Sequence, residues 1–160
     1  MQINSISLGK PVTIPFLIPV LHRATPECIS SPFMVDNECY YVTALSFGTP
    51  YGGVMVEDIE KAELPKIGQA LSAHPLFPQG ANIVFIQMLD EYNLKARLYA
   101  RGVGEREYTP EAVGAAAAVP MLLQKTLEQE VNVQMGDKSF RVKWEGGIGE
   151  VSYVTDTVSA

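Results

Sequence analysis

Through much of this chain an apolar residue returns at every second position, and a period of two is the signature of strands with one buried face. Val12, Ile14, Phe16, Ile18 and Val20 follow this rule, with Pro15 and Pro19 on the opposite parity. The pattern predicts an edge strand, where a proline costs no hydrogen bond because outer N–H groups need no partner. Phe33 and Val35 lead into the turn pair Asp36-Asn37, and Cys39 to Phe47 reads as the returning strand. Gly48 to Gly53 reads as a loop and Val54 to Val56 as a short strand. Residues 81–89 and 94–101 alternate on either side of Asp90-Glu91-Tyr92-Asn93, which predicts a hairpin. A second hairpin runs from Val131 to Met135, turns at Gly136-Asp137 and returns through Phe140, Val142 and Trp144. Val151 to Val154 supplies a last strand. Links this short predict a largely antiparallel sheet.

Two segments depart from the alternation. Leu64 to Ala73 carries Ile67, Ala70 and Leu71 at helical spacing behind Pro65, and His74-Pro75 ends it. The stretch TPEAVGAAAAVPMLLQKTLEQ from Thr109 is apolar nearly all round, so it predicts a helix enclosed by the sheet. Thr109 suits the N-cap, Pro110 the first helical position and Glu111 the first turn. Pro120 removes one N–H inside it and crowds the Ala116 carbonyl. No repeat or linker divides the chain, and residues 1–160 read as a single domain.

Composition narrows the function. With 47% hydrophobic and 19% charged residues over 160 positions, the chain can bury a core without disulfide or metal. Twelve Lys+Arg against eighteen Asp+Glu leave a net charge of −6, and the basic residues are scattered. Nucleic acid and anionic membrane surfaces are therefore not expected partners. The apolar run at 11–21 holds three prolines and is too short to span a bilayer, and no leader is evident. Cys28 and Cys39 lack metal-ligand spacing, as do His22 and His74, so reduced thiols in the cytoplasm are expected, with no metal and no cofactor. The Gly146-Gly147-Ile148-Gly149 run resembles a phosphate loop only superficially, because no helix follows it.

Three further runs, taken together and in order, carry a resemblance. They are VTALSFGTPYGGVMVEDIE at 42–60, SAHPLFPQGANIVFIQML at 72–89 and RGVGE at 101–105. This order resembles the C-terminal domain of the diaminopimelate epimerase family. There the corresponding patterns are Ser-x-Gly-Asn-Pro-His, His-Pro-x-Phe-Pro before a Val-Asn strand start, and Glu-Arg-Gly-x-Gly-Glu ahead of Cys-Gly-(Ser/Thr)-Gly. The resemblance spans essentially the whole chain. It implies an α+β fold in which an antiparallel, barrel-like sheet wraps around a central helix.

In that family two such domains face each other, and each brings a cysteine to a helix N-terminus in the cleft. One thiolate removes the substrate α-proton and the other thiol returns a proton on the opposite face. Helix N–H groups lower the thiol pKa and hold the α-carboxylate. Matched residue by residue, Asn82 and Arg101 correspond to substrate-holding residues, and Gly102, Gly104 and Glu105 keep the turn before the helix. The cysteine position is Thr109, and the Asn-Pro-His position is Thr49-Pro50-Tyr51. A hydroxyl is far too weak an acid to serve as a carbon-acid base. Pro110 and Glu111 replace the residues that leave helix N–H groups open. Proline has none, and the glutamate repels an anion.

These positions predict a non-catalytic relative that binds an amino acid or peptide at Asn82, Arg101, Thr109, Thr49 and Tyr51. Such a protein would assist a partner enzyme, in peptide or amino-acid-derived biosynthesis. The competing reading is half of a two-chain epimerase or racemase, completed by a cysteine-bearing subunit. Each of the residues also has a plainer reading as a helix cap, strand-start turn residue or surface ion-pair partner. A homodimer or heterodimer through the former inter-domain face is expected, with Tyr51, Phe77 and Tyr108 lining an exposed apolar patch.

Overall fold

Among the described residues ten strands join into one mixed sheet that bends around a buried helix. The computed structural model describes residues 5–22, 25–147 and 149–155. The strands are β1 Ile6–Gly9, β2 Ser31–Val35, β3 Glu38–Ser46, β4 Pro50–Met55 and β5 Asn82–Met88. They continue as β6 Asn93–Ala100, β7 Gly104–Arg106, β8 Glu130–Met135, β9 Lys138–Lys143 and β10 Val151–Thr155. Their order across the sheet is β1-β10-β9-β8-β6-β5-β4-β3-β2, with β7 attached to β6. β1 and β2 stand at the two ends, so the sheet curls without closing.

All neighbouring pairs are antiparallel except β4–β5 and β6–β8. Parallel neighbours cannot be joined by a tight turn and need a crossover. The first crossover carries a wide π-type turn, Leu64–Gly68, that runs into the short helix α1, Gln69–Ser72. The second carries β7 and the long helix α2, Pro110–Leu122. The hairpin turn between β2 and β3 places Asp36 and Asn37 at φ 49° and 70°, the left-handed region that these two side chains tolerate best.

α2 is the enclosed helix. Nine consecutive residues, Ala112 to Pro120, are buried, and the helix packs against β1, β3, β4, β5, β6, β8, β9 and β10. An alanine-rich surface suits this position, because small side chains let strands approach from every side. α2 ends earlier than its composition implies. Leu123 closes the backbone ladder and Gln124 turns left-handed at φ 58°.

β3, β4 and β5 are buried on both faces. Leu45, Tyr51, Val84 and Ile86 point to α2, while Val42, Ala44, Ile83 and Phe85 point to a second core. That second core is covered by Leu64, Ile67, Leu71 and Phe77 from the first crossover.

The sheet corrects two local readings. Residues 12–20 do not form an alternating edge strand: Val12 makes one bridge to Ser46, and Pro15–Leu17 is a 3₁₀ turn. Ile18 and Val20 are buried as the parity requires, but Ile14 and Phe16 are exposed. Pro15 sits at the first position of that turn, where its fixed φ starts a helical turn rather than extending a strand. Gly52 and Gly53 belong to β4 rather than to a loop. A Cβ at Gly53 would lie 2.5 Å from Val119 Cγ2, and one at Gly52 would lie 3.0 to 3.1 Å from Val42, Ile83 and Phe77. Both faces of β4 are therefore too close to their neighbours for a side chain there.

This contact yields a stability prediction. Gly53→Ala pushes a methyl into Val119 and is expected to cost about 1–3 kcal/mol. Val119→Ala in the same chain should return part of that loss, with a coupling of about 0.5 kcal/mol or more in a urea-unfolding double-mutant cycle. Strictly additive effects would contradict the close approach of β4 to α2.

Candidate functional site

The N-terminus of α2 meets the N-terminal ends of the parallel strands β4 and β5. Thr109 is extended at φ −132° and ψ 158°, and its hydroxyl accepts the Ala112 N–H at 3.2 Å. This is the N-cap predicted from Thr109-Pro110-Glu111. The same hydroxyl shares a 3.1 Å hydrogen bond with the Tyr51 phenol. Tyr51 pairs in register with Asn82 on β5. The Asn82 side-chain oxygen in turn accepts the Arg101 backbone N–H at 2.7 Å. Thr109, Tyr51, Asn82 and Arg101 thus form one connected chain of contacts. Thr49 lies half-buried on the loop that enters β4 and stands apart from this network.

Among the described residues no acid forms an ion pair with Arg101. Its guanidinium donates to the Gln79 carbonyl, and its stem passes over Gly80, which sits at φ 75°. Gly102 and Gly104 occupy φ 73° and 115°, values that favour glycine, and they turn the chain from β6 into β7. Glu105 has a structural task at this turn. It accepts a two-bond fork from Arg97 at 2.9 Å each, and Arg97 also donates to the Ile59 carbonyl.

The site offers little to an anion or to a carbon acid. Of the first helical N–H groups, Pro110 has none, Ala112 is held by the cap and Val113 by the Thr109 carbonyl. That leaves only the N–H of Glu111, whose own side chain is a carboxylate. Burial pushes the Tyr51 phenol above its ordinary value, Thr109 pulls it back, the Glu111 charge raises it again and Asn82 lowers it. Tyr153, packed edge-on to Phe140, is likewise raised by burial and by the neighbouring Tyr108 and Glu111. Both phenols stay protonated at neutral pH. They can donate hydrogen bonds there but cannot take up a proton.

Two of the three aromatic residues expected on an open apolar face are buried, which corrects that reading. Tyr51 is 2% exposed and Phe77 is 3% exposed, its ring tilted against Phe33. Tyr108 is half-buried, 4.9 Å from the Phe140 ring centroid. Their parity or loop position turns each inward onto one of the two cores. Beside the site the exposed apolar side chain is Val103, on the turn after Arg101. Tyr153 comes near Glu111 without any motif in the sequence to mark it, although its inward parity on a final strand is readable. Among the described residues no group of three or more His, Cys, Asp or Glu side chains is placed to hold a metal, and no helix is long and apolar enough to cross a membrane. Ile148 lies outside the described residues, and Gly146 and Gly147 precede no helix.

The sequence profile of the diaminopimelate epimerase family matches residues 43–159. Diaminopimelate epimerase of Pseudomonas aeruginosa is 33% identical over 143 residues, covering 89% of this chain and 50% of that protein. The enzyme of Bacillus cereus is 32% identical over 153 residues, covering 92% of this chain and 52% of its own length. The chain thus spans about half the length of the curated relatives it matches. Among solved structures, a phenazine biosynthesis protein of the PhzF family from Bacillus anthracis superposes with a TM-score of 0.59 at 15% identity. That match covers 96% of this chain and 56% of the other. A probable proline racemase from Agrobacterium radiobacter gives 0.60 at 12% identity, covering 94% of this chain and 49% of the other. At such identities the two structures establish the shared fold, a helix enclosed by a curled sheet.

The buried Tyr51 phenol makes alkaline stability informative. Below about pH 10 the phenol is protonated in folded and unfolded chains alike, and its hydrogen bond contributes in full. Above that value the unfolded chain releases the proton while the folded chain keeps it, so stability falls as pH rises. Tyr51→Phe should lower stability at neutral pH by about 1 kcal/mol. It should also make the decline above pH 10 shallower than in the unaltered protein. Parallel declines in denaturant melts between pH 8 and 11 would contradict the buried placement of the phenol.

Proposed function

Because the chain belongs to the diaminopimelate epimerase family, we propose that it is a non-catalytic member which binds an amino acid or peptide at the α2 N-terminus. The carrying observation is the hydroxyl of Thr109 at the cysteine position, engaged at once by the Ala112 N–H and the Tyr51 phenol. Epimerisation needs a thiolate on one face of the α-carbon and a thiol on the other. A capped threonine and a protonated phenol supply neither. Pro110 and Glu111 argue further that a free α-carboxylate is not the group recognised here. A peptide backbone, which is neutral and rich in donors and acceptors, suits Arg101, Asn82 and Thr109 better, with the buried Tyr51 positioning Thr109 and with Thr49 on the adjoining loop.

The accessory role follows as part of the proposal: the bound amino acid or peptide is presented to a partner enzyme of a biosynthetic route, in the cytoplasm. A second copy or a second chain over the site is part of the same proposal. Val103, 64% exposed beside Arg101, is the side chain to probe on that face. A two-chain epimerase completed by a cysteine-bearing subunit is the second reading, favoured by the retained Asn82 and Arg101.

The protein alone, and its Thr109→Cys variant, are expected to place no solvent deuterium at Cα of diaminopimelate or other amino acids. In a titration with short peptides, Arg101→Ala should weaken binding by about tenfold or more. Light scattering should show an association that Val103→Asp removes. Deuterium incorporation by either protein would overturn the non-catalytic reading, and peptide affinity indifferent to Arg101 would overturn the binding site.

A further inference from the structure

A cavity of about 570 Å³ opens beyond the C-terminal end of α2, far along the helix from Thr109. Its size is in the range that takes small molecules. Val54 of β4, Phe85 of β5 and Ile67 of the first crossover are buried in its floor. The polar group set among them, the Thr43 hydroxyl, already accepts the Ser30 N–H at 3.0 Å. An apolar body could therefore cover this floor without stranding a polar atom.

The rim is different in kind. Lys61 from the first crossover and Lys125 from the loop after α2 both line the mouth and are exposed. Glu63 also lines the mouth, and Glu38 accepts the hydroxyl of the lining residue Tyr40 at 3.1 Å, which occupies that carboxylate. Among the described residues the one ion pair is Arg97–Glu105, so neither lysine is matched by a carboxylate. Two unmatched ammonium groups at one opening are notable in a chain of net charge −6. A small inorganic anion would leave the apolar floor unused, and a neutral apolar molecule would leave the ammonium groups unused.

We propose that this cavity binds a medium-chain carboxylate, with its tail on Val54, Ile67 and Phe85 and its head between Lys61 and Lys125. The site is separate from the α2 N-terminus and stands whether or not a peptide binds there.

Cys39 provides a built-in reporter. Its exposed thiol lines the cavity, whereas Cys28 is fully buried and burial pushes its thiol up, which keeps it unreactive. Decanoate is expected to slow maleimide labelling of Cys39. Across hexanoate, octanoate and decanoate the Kd from calorimetry should tighten about fourfold per added methylene. Decanol should bind at least about tenfold more weakly than decanoate, since it lacks the charge that the lysines would pair with. Lys61→Gln/Lys125→Gln, which changes only exposed side chains, should weaken decanoate about tenfold and leave decanol unchanged. Affinity flat with chain length, equal affinity for decanol, or full decanoate affinity and Cys39 protection in the double variant would each overturn the proposal.

Discussion

The rest of the molecule depends on how closely the sheet approaches α2. A helix packed by strands on nearly every side cannot carry large side chains throughout, and the buried stretch Ala112 to Pro120 is built largely of alanine. The strands answer in kind: Gly53 gives way to Val119, and Gly114 of the helix gives way to Leu8 and Phe47. The stabilisation comes from many small contacts at interior packing density rather than from a few large residues, so one added methyl is felt. The second core, on the far face of β3 to β5, holds those strands against the helix from behind.

That enclosure also decides what the helix can offer chemically. Its side is buried, so only its ends meet anything outside the fold. At the N-terminus the chain leaves only the Glu111 N–H open, through a proline, a threonine cap and a phenol held against that cap. The family's fold is kept, with this end of the helix engaged by the protein's own Thr109 and Tyr51. At the other end the loop after α2 contributes Leu123 and Lys125 to a cavity with an apolar floor and two lysines on its rim.

Local signals made much of this legible in advance. Thr109-Pro110-Glu111 specifies a helix start through capping and dihedral preference, and Asp36-Asn37 specifies a hairpin turn, with no distant partner needed. Gly52 and Gly53 read as a loop because the reason for them is a contact with Val119 and with Phe77, which no local pattern displays. Residues 12–20 misled for the opposite reason. Alternation was present, but Pro15 started a 3₁₀ turn, so the parity described only Ile18 and Val20. At the site, resemblance located Thr109, Asn82 and Arg101. The inward burial of Tyr51 followed from the β4–β5 register, which a crossover sets and a motif does not. The Lys61–Lys125 rim gathers segments far apart in the chain and had no sequence signal at all.

The central claim is that the chain's own groups close the N-terminus of α2 to a free α-carboxylate. Backbone amide NMR tests it most directly, by following Glu111 and Ala112 while diaminopimelate is added. The account predicts that neither amide shifts in a saturable way and that Ala112 remains protected from hydrogen exchange by the Thr109 hydroxyl. A saturable shift of both amides, with loss of the Ala112 protection as the cap opens to the ligand, would contradict it.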